Sequence, residues 1–251
     1  MGSEALIRIR DAAHGAHPEV RSMNPAFRPD VSVIKLGVDI DWEPPEPAVA
    51  VAALEAQLVE FCPSLQQHQC RGHADYLILR SIHESEQQPE HGETSIEPAL
   101  ALAHLFEHLM IDTMAFITDA STLSGVTAAL KGTRTQFDIF VESPDAIAAR
   151  LTAEVARSWI SALVAGESTN GEGRLILELA RRLYRSPDGV EVGVVARRLG
   201  REPREVRDGL QWLERLGLTR PLDYPMNFSG LSYYRLHGVE PAMKPPEKES
   251  T

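Results

Sequence analysis

Residues 95–117 read SIEPALALAHLFEHLMIDTMAFI, a run whose apolar positions recur with helical spacing. The pattern predicts a long helix from about Ile96 to Ile117. Ser95 stands just before it and Pro98 falls in its first turn, where proline is tolerated. Leu102, Leu105, Phe106, Leu109 and Ile111 give it core character, yet His104, Glu107, His108 and Asp112 interrupt the apolar surface. The segments on either side decide what such a helix packs against.

Leu6–Arg10 reads as a strand, and so does Val31–Asp41, where Val31, Val33, Ile34, Leu36, Val38 and Ile40 are mostly alternating and rich in β-branched residues. The proline-rich segment at 42–47 stops the second strand and starts a helix carried by Val51, Leu54, Leu58 and Phe61. Tyr76–Ile82 looks like a further strand, and residues 84–97 like an exposed acidic loop. Gln136–Glu142 is another strand. Ser143 and Pro144 then suit the cap and first position of a helix running to about Val164. Strands separated by single helices point to an α+β domain over 1–166, a small antiparallel or mixed sheet with helices on one face.

Gly166–Gly173 is small and polar, the best place for a domain boundary. Beyond it the spacing predicts helices at Arg174–Tyr184, Val190–Leu199 and Arg204–Leu216, then strands at Leu218–Leu222 and Ser232–Leu236. This order over 171–238 resembles a winged helix-turn-helix domain. Arg201, Arg204 and Arg207 would open its third helix, where a DNA-reading helix presents its contacts. Glu202, Glu205 and Asp208 are interleaved with them, so protein contacts or a homodimer are the alternative uses. Residues 239–251, rich in Pro, Lys and Glu, are expected to be a disordered tail.

The formal charge of −11 argues against a protein that coats nucleic acid non-specifically. Between Gly171 and Glu240, however, stand 12 arginines and 10 acids, so the acidity lies outside that region. Cys62 and Cys70 are too few for a disulfide framework or a zinc ribbon and are expected to be reduced thiols. The N-terminus lacks the basic-then-apolar order of a signal peptide, and no apolar run approaches the roughly 18 residues that span a bilayer. A cytoplasmic protein with no membrane partner is the expectation.

The chemistry is carried by His104, Glu107 and His108. Two histidines four apart lie about 40° from each other around a helix, so both imidazoles can reach one metal at about 2.0–2.1 Å. Glu107 sits beside them as the candidate general base, the H-x-x-E-H order of inverted zinc peptidases. A third ligand could come from Asp112, one turn further on, or from Glu142 at the end of its strand. The bland alternative is that both histidines are edge residues bonded to solvent or acids.

Residues 62–70, CPSLQQHQC, resemble the PSL..H.C stretch of the N-terminal domain of cyanophycin synthetase. In that family a helix with H-x-x-E-H and an acid four residues on follows roughly thirty residues later, where His104, Glu107, His108 and Asp112 fall. Gly132-Thr133-Arg134 is similar to the family's GRTR segment, and residues 137–142, FDIFVE, to its Y.VVFE strand. The match covers roughly Val31 to Leu163. It implies a domain similar to a metallopeptidase, one that hydrolyses a peptide or cyanophycin-like amide or only holds it. The family's Gly-Gly-Phe segment is replaced by Arg71–Glu97, and its ATP-binding and ligase domains have no counterpart here, so polymer synthesis is not expected.

The sequence therefore supports a zinc-dependent peptidase in which His104, His108 and Asp112 or Glu142 bind metal, Glu107 is the base, and Arg134 and His68 meet substrate. The alternatives are a metal- or ligand-sensing transcription regulator that binds DNA through Arg201, Arg204 and Arg207, and an inert peptide-binding module.

Overall fold

The computed structural model describes residues 6–60, 62, 64–65, 97–167, 172–222 and 232–237. His68, Cys70, the expected strand at Tyr76–Ile82, the acidic loop from Glu84 to Ile96 and the tail from residue 239 lie outside them. Two compact units divide the chain, Met1–Arg174 and Leu175–Thr251, so the division falls a few residues beyond the expected linker.

In the first unit β1 (Ile7–Gly15), β2 (Val33–Ile40), β3 (Gly125–Ala129) and β4 (Gln136–Glu142) form one antiparallel sheet in the order β1-β2-β4-β3. Among the described residues every ladder is antiparallel. Ala12, Leu36, Ile139 and Thr127 are register partners across the four strands, so their side chains share one face. Helices α2 (Pro47–Val59), α3 (Pro98–Thr118) and α4 (Ala146–Val164) pack together; α3 lies on β2, β3 and β4, and α4 on β1. The fold is thus α+β.

The other face of the sheet carries Val33, Phe140 and Val126, covered at one corner by Val20 of the short helix α1 (Val20–Met23) and by Phe27. Further along that face stand charged residues that pair with one another. Arg8 and Arg10 pair with Asp39, and Lys35 pairs with Asp138 at 2.8 Å.

Helix α3 has the length and hydropathy to cross a membrane, contrary to the expectation that no segment does. Yet 67% of its apolar window is buried inside the fold, with Leu102, Phe106, Leu109, Met110, Met114 and Ile117 fully covered. It is the central core helix. Its start at Pro98 agrees with the sequence pattern, but its cap position is Glu97. Helix α4 corrects another boundary. The Asp145 side chain accepts from the backbone N–H groups of Ile147 and Ala148 at 2.9 and 2.8 Å, while the Ser143 hydroxyl donates to the Asp145 carbonyl. Asp145 is therefore the cap, and Pro144 lies outside the helix.

The second unit holds α5 (Glu172–Arg185), which begins just before the division, then β5 (Val190–Glu191), α6 (Val192–Leu199), α7 (Pro203–Arg215), β6 (Thr219–Leu222) and β7 (Tyr233–Leu236). Its strands make a three-stranded antiparallel sheet in the order β5-β7-β6. The helix expected from Val190 begins only at Val192, because Glu191 caps it: its carboxylate accepts from the N–H groups of Gly193 and Val194 at 2.7 and 2.6 Å. Gly200, at φ 63°, ends α6 in the left-handed conformation that glycine adopts without steric cost. Leu179, Leu183, Val206, Leu210 and Leu213 are fully buried.

Candidate metal centre

Helix α3 sets the angular order of the polar residues that interrupt its apolar surface. At 3.6 residues per turn Glu107, His104, His108 and Asp112 fan over roughly 140° of its circumference. Glu107 points at the sheet. The other three rotate progressively away from it. Among the described residues β3 is an edge strand, so a helix lying on it places part of its surface at the rim of the sandwich.

That placement splits the cluster into a dry side and a wet side. The His104 side chain is 39% exposed and that of Glu107 only 4%. The two imidazole rings stand 4.2 Å apart between centroids, tilted at 57°. Donor atoms of His104, Glu107 and His108 all lie within 4.8 Å of one another. Two imidazole nitrogens and a carboxylate oxygen are a donor set that zinc and similar divalent ions take. The residues present fit a metal ion.

A carboxylate buried as deeply as Glu107 costs several kcal/mol unless it is bonded or paired. Two partners meet the requirement. The Thr127 hydroxyl donates to Glu107 Oε2 at 2.5 Å, and His104 Nδ1 lies 3.4 Å from the same oxygen. Gly125 supplies room on the other side: a Cβ there would stand 2.5 Å from Glu107 Oε1 and 2.8 Å from Ile111 Cδ1. The Gly125 carbonyl is in turn held by the Asn24 side-chain amide at 3.0 Å. No short-range pattern in the sequence pointed to Thr127, Gly125 or Asn24, because each reaches the site through the sheet rather than along the helix.

Glu142 leaves the candidate site. Its register partner is Val33, so it projects from the sheet face opposite α3. There its Oε1 accepts from the Arg28 backbone N–H at 2.7 Å and from Arg28 Nε at 3.3 Å. Its Oε2 accepts from Arg28 Nη2 at 3.1 Å and from the Ser124 backbone N–H at 3.0 Å. The carboxylate is a structural staple between the segment after α1 and the start of β3, not a third ligand.

Asp112 is buried one turn beyond His108 and is not a member of the close cluster. Its charge is felt by Cys62, whose thiol is pushed up to about 12, mainly by burial and further by Asp112. The folded thiol therefore keeps its proton while the unfolded one ionises near its ordinary value, and this contribution to stability falls as pH rises from about 9 towards 12. In a Cys70→Ser background, a thiol reagent at pH 8 is expected to label native Cys62 roughly 10³-fold more slowly than the urea-unfolded chain. Equal rates would contradict the buried placement.

Arg134 is 88% exposed in the turn between β3 and β4, where its Nε lies 3.5 Å from Glu97 Oε1, and it is outside the cluster. In the second unit Arg201, two residues before α7, pairs with Glu205 at 3.5 Å, and Arg204 pairs with Asp208 at 3.8 Å on the exposed face of α7, with Arg207 also exposed. Helix α7 is thus laced with its own i,i+4 pairs rather than presenting a bare basic stripe. No protein-family model, curated protein or solved structure matches the chain, so the site stands on its geometry: two half-buried imidazoles and a buried carboxylate, one turn apart, at the rim of an α+β sandwich.

Proposed function

We propose that the first unit is a metal-dependent hydrolase of peptide or cyanophycin-like amide bonds, related to the N-terminal domain of cyanophycin synthetase. The observation that supports it is the convergence of His104, Glu107 and His108 donor atoms within 4.8 Å, with the imidazoles reachable from solvent. His104 and His108 would hold the ion, with Asp112 contributing negative charge one turn away. Zinc, when bound at such a site, polarises an amide carbonyl and acidifies water. Glu107 takes the proton of the attacking water and returns it to the leaving nitrogen, the work of a positioned carboxylate. Arg134 offers a fork-shaped guanidinium to a substrate carboxylate.

A second reading rests on the other unit. Support comes from its order of helix, strand, two helices and two paired strands, which resembles a winged helix, and from the exposure of Arg201, just before α7, and of Arg204 and Arg207 on its first turns. On that reading the first unit senses a metal or ligand for a DNA-binding regulator.

One comparison separates the two. Protein purified without an affinity tag is analysed for metal, then wild type and Glu107→Gln are assayed on a panel of arginine- and aspartate-containing peptides. The hydrolase reading expects about one ion per chain in wild type and, with zinc supplied in excess to both, a loss of at least about 10²-fold in turnover in the variant. Hydrolysis undiminished in Glu107→Gln, or none in wild type together with a specific DNA shift, would overturn it.

A further inference from the structure

We infer that Thr127 on strand β3 is the positioning residue of the metal centre: its hydroxyl holds the Glu107 carboxylate turned towards His104 and His108. The inference rests on the reading of those residues as a metal site. A glutamate side chain has three rotatable bonds, and Glu107 has no room to use them. Oε1 is backed by the Gly125 main chain, where even a methyl group would be 2.5 Å away. Oε2 is bonded to Thr127 Oγ1 at 2.5 Å and faces His104 Nδ1 at 3.4 Å.

Thr127 is itself fixed. It is 6% exposed, and its strand is laddered to β4 with Ile139 opposite. A β-branched residue on a paired strand has little χ1 freedom, so its hydroxyl is aimed before any ligand arrives. Facing a carboxylate, the hydroxyl donates, and that bond fixes which way Oε2 turns. The result is a carboxylate held in place beside two imidazoles. Partners of this outer kind typically change metal affinity by about 10–100-fold when removed.

The test uses zinc alone. Full-length wild type, Thr127→Val, Thr127→Ser and Gly125→Ala are titrated with zinc against a chromophoric chelator, with thermal melts of the metal-free proteins alongside. Valine keeps the shape and removes the donor, and is expected to weaken zinc binding about 10–100-fold. Serine restores the donor and is expected to bind within about threefold of wild type. Unchanged affinity in Thr127→Val, or equal losses in valine and serine, would overturn the inference, as would a lowered melting temperature with unaltered affinity. If Thr127→Val does not fold, Gly125→Ala decides: weakened binding supports the inference and wild-type binding ends it. Zinc binding that depends on Thr127 in a protein that hydrolyses nothing would sink the hydrolase and leave this inference standing. A wild type that binds no zinc would sink both.

Discussion

Glu142→Gln is expected to destabilise the first unit by about 3 kcal/mol while leaving zinc affinity unchanged. The carboxylate is 1% exposed and accepts from four donors, two on each oxygen. An amide in its place must turn its NH2 towards one of those pairs, so two donors face a donor whichever way it flips. The Arg28 guanidinium, whose side chain is 46% exposed, recovers part of the loss by turning to water, which is why the figure sits at the low end for a broken buried pair. Thermal unfolding should shift down by roughly 6–12 °C. A variant that melts like wild type but loses zinc would restore Glu142 as a ligand and contradict the sheet register.

Phe106→Ala has the largest expected effect on stability. The ring is fully buried on the central helix, and large-to-small changes at such sites cost about 3–5 kcal/mol through lost burial and the cavity left behind. Typical domains have only about 5–15 kcal/mol in total, so the variant sits near the edge of folding. The urea midpoint should fall with no change in slope. Zinc at about 100 times its dissociation constant should return about 2.7 kcal/mol, because only the folded chain assembles His104 and His108. Failure of zinc to raise the midpoint of Phe106→Ala would show that the cluster binds it no better folded than unfolded.

Strands β2 and β4 and helix α3 were legible because each carries its own period: alternation through Ile34, Leu36, Val38 and Ile40, and a helical apolar run from Leu102 to Ile117. Strand β3 was not. Gly125, Ala128 and Ala129 have low strand propensity, and only its pairing with β4 holds the segment extended. The second half of β1 escaped for the same reason, since residues 11–15, DAAHG, carry no alternating apolar signal. The start of α4 was misassigned because Ser143 and Asp145 are both good caps, and the choice is made by where the chain leaves β4. At the candidate metal centre, one helix gave His104, Glu107 and His108 by spacing alone. Thr127 lies 20 residues away and Arg28 lies 114 residues from Glu142, contacts that no local pattern encodes. Glu142 looked like a ligand because a strand-end acid carries no label for the face it takes. One residue of alternation decided it.

The burial of α3 has a consequence for how the chain reaches its native state. The helix is greasy enough for a lipid bilayer, and the strands that cover it, β3 and β4, follow it in the chain, as does α4. During synthesis the segment emerges with only β2 and α2 of its cover in place, so the rest of its apolar surface stays open until residue 142 is free of the ribosome. Chains cut short between α3 and β4 should aggregate or adhere to vesicles, whereas those extending through α4 should not.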